Sequence, residues 1–157
     1  RAFVVNRRRV STLKDILLNE DNRANVVKDA AGLVASEVNA KGGLSGMAIK
    51  TGYKTVTKIR PGIIDDVVDG LLDRFVERLE PFFADWDGGG RNGAFDSFLN
   101  AKKNTVANAL LGVTDDRAKI VANKVLKKAY STLRPQGEKN VEAAIPGLGR
   151  LLNKYLG

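Results

Sequence analysis

The longest apolar pattern in the chain runs from Ile63 to Leu79. Apolar residues recur there in an i, i+1, i+4, i+5 rhythm, which predicts a helix whose apolar stripe is wider than a coiled-coil seam. Acidic residues step by three and four along another face of this helix, and they are Asp66, Asp69, Asp73, Glu77 and Glu80. The pattern therefore predicts a core helix with one acidic side.

A second helix is predicted immediately before it, from about residue 44 to residue 59. Beside its apolar row, Lys50, Lys54 and Lys58 are spaced by four. Pro61 disfavours a helical conformation for the preceding residue and suits the first turn of a new helix, so the break belongs at residues 60–62. We expect the two helices to fold back as an antiparallel hairpin, with the lysine row alongside the acidic row. Packing dominates this pairing, because an exposed ion pair contributes only ~0–1 kcal/mol.

The rest of the chain also shows helical periods separated by turn residues. Thr12 and Asp15 resemble a capping box at the start of a short helix, and a longer helix is predicted over residues 23–40. Further helices are predicted over residues 94–111, 114–133 and 138–155. The predicted breaks are an end or kink at Pro81, a loop over 85–93, an end at Gly112 and an interruption at Pro146–Gly147. These patterns predict an all-α, single-domain bundle of about six to eight helices.

Composition excludes several classes of protein. A chain of 157 residues suits one domain with a sizeable core. No run approaches the ~20 apolar residues of a transmembrane segment, and the first residues lack the apolar length and cleavage site of a secretory signal. The sequence has no cysteine, which excludes disulfides and fits a cytoplasmic location. It also has no histidine, which removes the commonest general base and the commonest transition-metal ligand.

The net charge of +8 depends partly on the N-terminal residues. Arg1, Arg7, Arg8 and Arg9 supply four of the 26 basic residues, and no acidic residue comes before Asp15. We therefore expect residues 1–10 to form a basic, flexible tail and residues 11–157 to form the single helical domain. Lys50, Lys54 and Lys58, together with the basic helix around Lys124, Lys127 and Lys128, would bind anionic partners weakly if they lay on one side.

The glycine-rich loop has a partial calcium-binding pattern. Asp85, Asp87 and Asp96 fall at positions 1, 3 and 12 of an EF-hand-like spacing, with a glycine at position 6. Position 5 offers no side-chain oxygen, position 12 lacks the usual glutamate, and Arg91 places a positive charge inside the loop. An ordinary flexible loop between helices is the alternative, and we predict no metal and no cofactor.

Several phrases in the chain carry a family resemblance. They are STLKDILL at 11–18, GLSG at 43–46 leading into KTGYKTV at 50–56, LEPF at 79–82, ALLGVTD at 109–115 and KNVEAAIP at 139–146. Together they resemble a family of small actinobacterial proteins of unknown function. The resemblance begins at about Ser11 and omits the basic tail, which favours a native start near Val10. It implies no particular activity, cofactor or catalytic residue.

Three classes of function remain open from the sequence. We expect a non-enzymatic helical module that binds a protein partner or itself, with Phe82, Phe83 and Trp86 as candidate contacts, although core packing is expected for at least two of them. The first alternative is weak binding to nucleic acid or an anionic membrane face through the basic helix faces. The second is a small-ligand carrier or an enzyme, for which no catalytic motif is visible.

Overall fold

A computed structural model describes residues 11–156, and all regular structure in this range is helical. This confirms the predicted all-α, single-domain class; the predicted flexible tail at 1–10 lies outside the described residues. The described residues form eight α-helices and one 3-10 turn, η1. Their bounds are α1 Leu13–Leu17, α2 Arg23–Ala40, α3 Gly43–Thr57, α4 Ile63–Gly88, α5 Phe95–Ala101, α6 Lys103–Ile120, α7 Lys124–Leu133, η1 Arg134–Gln136 and α8 Gly137–Leu156.

The core forms where α4 and α8 meet the other helices. Helix α4 packs against α1, α2 and α6, and α8 packs against α2, α5 and α6. Leu13, Phe95, Leu99 and Ile145 are among the fully buried side chains. The wide apolar stripe predicted for α4 is confirmed, because Val68, Leu72, Val76 and Leu79 all belong to the core cluster.

Three residues predicted to break helices lie inside them. Helix α4 continues through Pro81 to Gly88, and α8 continues through Pro146. Each proline removes one backbone donor, but buried residues on both sides of it keep the helix on the core. Gly112 lies within α6 between Leu111 and Val113, which are both buried. The end predicted at Gly112 and the interruption predicted at Pro146–Gly147 were wrong, because burial of the flanking face outweighs the local preference. At Pro81 the helix does not end, and the alternative of a kink there stays a prediction.

Helix α1 confirms the predicted capping box. The Thr12 side chain accepts a hydrogen bond from the Asp15 amide at 3.1 Å, and the Asp15 carboxylate accepts one from the Thr12 amide at 3.2 Å. A second cap comes from α4, where the Glu80 carboxylate accepts from the Leu13 amide at 2.7 Å and from the Lys14 amide at 3.3 Å. Glu80 therefore stabilises a helix start that lies far from it in sequence.

The predicted hairpin between α3 and α4 was wrong in its pairing. The break at residues 58–62 is present, with Gly62 at φ 76° as a left-handed residue before α4. However, α3 packs mainly against α7 and only slightly against α4. Arg23 of α2 pairs with Asp69 at 3.1 Å and with Asp73 at 2.8 Å, so the acidic side of α4 faces α2 rather than the lysine row.

Candidate functional site

The most distinctive surface of the protein is formed by α3 and α7, which lie against each other at the edge of the bundle. Gly52 allows this approach, since a Cβ atom there would lie 3.1 Å from a Leu133 methyl group. Both helices contribute little to the core. In α3 only Gly46 and Ile49 are buried, and no residue of α7 is buried. The pair therefore presents most of its side chains to solvent.

The two segments that carry these helices contain no acidic residue. Residues 41–64 hold five basic residues, and residues 117–137 hold six. Eleven of the 26 basic residues are thus in two acid-free segments, whereas all 18 acidic residues are elsewhere. The positive charge of the folded chain is concentrated where these segments meet, and the remainder of the described bundle is rich in acidic residues.

Six exposed lysines define what we call the basic surface: Lys50, Lys54 and Lys58 of α3 and Lys124, Lys127 and Lys128 of α7. Among residues 11–156, none of these six pairs with a carboxylate within 4.0 Å, whereas Arg60 pairs with Asp66 at the edge of the surface. The sequence prediction named Lys50, Lys54 and Lys58 as contact candidates. The structure places Lys50 and Lys54 on α3 and Lys58 at its C-cap, and α3 packs directly against α7, the helix that carries the other three lysines.

Large apolar side chains are exposed on the same two segments. Leu44 is 86% exposed and Met47 is 65% exposed, and both belong to α3. Counted from Leu44 as position i, Met47 is at i+3, Lys54 at i+10 and Lys58 at i+14. This spacing places all four side chains on one outward stripe of the helix. Val125 of α7 is 42% exposed, and Ile120, the last residue of α6, is 72% exposed. The surface thus combines lysines with exposed aliphatic groups.

A polar network fixes α7 to α6 although α7 buries no side chain. The Tyr130 hydroxyl donates to the Asp115 carboxylate and lies 2.8 Å from the Thr114 hydroxyl oxygen. Arg134 donates to both Asp115 oxygens, from Nε at 2.8 Å and from Nη2 at 3.1 Å. The Arg134 hydrogen bonds, followed by that of Tyr130, hold the pKa of Asp115 below its usual value. Desolvation, followed by the hydrogen bond to Asp115, raises the pKa of Tyr130.

Two of the three aromatic contact candidates are core residues. Phe83 and Trp86 are buried, and Phe82 is half-buried against the core cluster, so the expected core packing of at least two is confirmed. Trp86 packs against Phe95 with ring centroids 5.0 Å apart, and its indole N–H donates to the Gly93 carbonyl oxygen at 3.1 Å. Phe83 and Trp86 are therefore not available as a surface for a partner.

The residues of the calcium pattern do not come together as an ion site. Asp85 and Asp87 lie on α4, which extends beyond the predicted start of the loop. Asp87 pairs with Arg91 at 2.7 Å, and the Arg91 guanidinium stacks on the Trp86 ring at 4.9 Å from its centroid. The Asp96 carboxylate accepts from the Ser97 amide. Within residues 11–156 no group of three or more carboxylates is placed to hold a metal ion.

Sequence reasoning missed the network that holds α7 in place. Thr114 and Asp115 were interpreted as a helix start, yet they lie inside α6 and bind Tyr130 and Arg134 instead. The actual start of α7 is Asn123, whose side chain accepts from the Val125 amide at 2.9 Å and the Leu126 amide at 3.1 Å. Asparagine is a preferred N-cap residue, so this signal was present in the sequence.

Comparison with known proteins identifies the family. Residues 13–156 match the family described as "Family of unknown function (DUF6918)", and the chain belongs to this family. No curated protein sequence and no solved structure matches the chain. In the described part of the chain, no helix has both the length and the apolar character needed to cross a membrane.

Proposed function

We propose that this protein is a non-enzymatic binding module that attaches peripherally to an anionic lipid membrane through the basic surface of α3 and α7. The observation that carries the proposal is the combination of six exposed lysines, for which residues 11–156 supply no carboxylate partner, and exposed aliphatic side chains on the same pair of helices. Lysines attract anionic head groups, and the transfer of aliphatic side chains from water to the acyl boundary lowers the free energy.

The aliphatic groups favour a membrane over nucleic acid. A single-stranded nucleic acid partner would need aromatic side chains for stacking, but Tyr53 and Tyr130 on these helices are half-buried. Leu44 and Met47 offer no contact to a phosphate backbone, whereas insertion into a lipid interface gives them an apolar environment. Binding to nucleic acid through the lysines alone is the alternative that the experiment must distinguish.

The test is flotation of the full chain with vesicles of phosphatidylcholine alone or mixed with phosphatidylglycerol. We expect binding only to the mixed vesicles. Replacing Lys124, Lys127 and Lys128 together by glutamine is expected to weaken binding on the order of 100-fold, because each lysine contributes about 1 kcal/mol near an anionic surface. The matched control replaces Lys28, Lys103 and Lys139, which are exposed elsewhere and carry the same total charge.

A variant that leaves the net charge unchanged distinguishes a membrane from a nucleic acid as the anionic partner. Leu44→Ser combined with Met47→Ser keeps every lysine, so it is expected to weaken vesicle binding at least ~10-fold while leaving salt-dependent binding to duplex DNA unchanged. Binding to DNA but not to mixed vesicles would reject the membrane and favour nucleic acid. Equal losses from the two triple-lysine variants would reject the basic surface itself.

A further inference from the structure

A half-open cavity of about 210 Å³ lies between α2, α4, α6 and α8, with Leu17 of α1 also in its wall. Its inner wall includes Val26, Ile145 and Leu152, which are all essentially inaccessible to solvent. On one side it reaches Val34, which is 38% exposed. The space is therefore part of the core and has an edge near the surface, unlike the basic surface, which lies on α3 and α7.

The lining of this cavity is almost entirely hydrocarbon. Every lining residue except Thr114 has an aliphatic or aromatic side chain, and Phe75 is the one aromatic. The Thr114 hydroxyl is already hydrogen-bonded to the Leu111 carbonyl oxygen at 3.1 Å and lies close to Tyr130. A water molecule needs two to four polar partners, and this cavity offers none that is free. Among residues 11–156 no charged side chain lines the wall, so these residues offer an ionic ligand no counter-charge there.

We propose that this cavity binds a hydrocarbon group, either a small apolar molecule or the alkyl tail of an amphiphile. Enclosed apolar cavities of about 150 Å³ bind molecules the size of benzene, and the apolar space here is larger. A ligand that fills it restores the dispersion contacts that the lining atoms lack in an empty space. Because the site is in the core, it stands independently of membrane binding through the lysines.

The experiment compares two alanines that are adjacent on α8. Ala144 lines the cavity and is half-buried, whereas Ala143 is exposed. Ala144→Leu places extra carbon atoms in the cavity, and Ala143→Leu places the same atoms in solvent. Thermal unfolding of the full chain is followed with increasing toluene, and separately with increasing octanoate below its micelle concentration.

We expect both wild type and Ala143→Leu to show a rise in Tm with ligand that saturates, and Ala144→Leu to show none. A rise with octanoate alone identifies the ligand as an alkyl tail, and a rise with toluene alone identifies a compact apolar molecule. The same rise in all three proteins, or no rise in wild type with either probe, overturns the proposal. Ala30→Leu, which fills the cavity from α2, replaces Ala144→Leu if that variant fails to fold.

Discussion

The cap that Glu80 provides to α1 gives a sharp prediction about stability. The backbone amides at the start of a helix have no partner within the helix, and Glu80 accepts from the first two, those of Leu13 and Lys14. The 2.7 Å bond to Leu13 lies in a part-buried position, so water cannot fully replace the carboxylate there. Glu80→Ala therefore leaves a poorly solvated donor at the point where α1 meets the core.

The size of the stability loss expected for Glu80→Ala follows from these two hydrogen bonds. A hydrogen bond to a charged group contributes about 1.5–3 kcal/mol, and loss of a helix cap costs about 0.5–2 kcal/mol. The second bond is long and exposed, so it adds little. We expect Glu80→Ala to lower the free energy of unfolding by about 1–2 kcal/mol, and Glu80→Gln, which keeps one carbonyl acceptor, to lower it by about half as much.

Guanidinium unfolding measures the effect, with fluorescence of Trp86, the only tryptophan, as the probe. Glu77→Ala is the matched control, because Glu77 is exposed on the same helix and its removal is expected to change stability by no more than ~0.5 kcal/mol. If Glu80→Ala and Glu77→Ala differ by less than this amount, the cap does not stabilise the fold and the reasoning is refuted.

Two further predictions concern packing and pH. Gly149→Ala is expected to lower the free energy of unfolding by about 1–3 kcal/mol, because its Cβ would lie 2.7 Å from the Asp96 backbone. Gly32→Ala has open space around the new methyl group and is expected to raise the free energy of unfolding by about 0.5–1 kcal/mol. The guanidinium midpoints of the two variants test this, and equal shifts of the two midpoints would contradict it. Burial, followed by the hydrogen bond to Asp29, raises the pKa of Tyr155 to about 12. The neutral phenol therefore favours the folded state at pH values below 10, and this stabilisation is lost as pH rises towards 12. A phenolate absorbance titration and the alkaline unfolding midpoint check this, and a Tyr155→Phe variant that loses stability over the same range as wild type would rule it out.

Periodicity and caps determined how much of the fold was predictable. The start of α1 followed from a local signal, because its N-cap residue Thr12 acts within a few residues, and the bounds predicted for α2 agree with the structure. The apolar stripe of α4 followed from its regular period. Local signals for a helix end failed at Gly112 and Pro146, and α4 does not end at Pro81, because buried neighbours on both sides hold each helix on the core. The cytoplasmic location and the actinobacterial source stay predictions.

The candidate site was only partly predictable, because charge spacing identifies a face and does not identify its neighbour. The spacing by four identifies Lys50, Lys54 and Lys58 as one face and predicts the acidic row of α4 as the neighbour of that face. Arg23 occupies that role instead, since its guanidinium bridges Asp69 and Asp73 at once. A fork of donors from one arginine matches two carboxylates better than three separate lysines do.

The pairing of α3 with α7 has a consequence for electrostatics. Like charges on adjacent helices repel, and screening at physiological salt weakens the repulsion between exposed charges with a decay length of about 8 Å, which does not remove it at the distance between packed helices. The contacts that hold the two helices in place against this repulsion include the close approach at Gly52 and the network of Tyr130 and Arg134 with Asp115. An anionic surface that binds the folded form would reduce this repulsion. Such a ligand would therefore raise the stability of the folded state. This linkage is a further argument for the binding surface that we propose on α3 and α7.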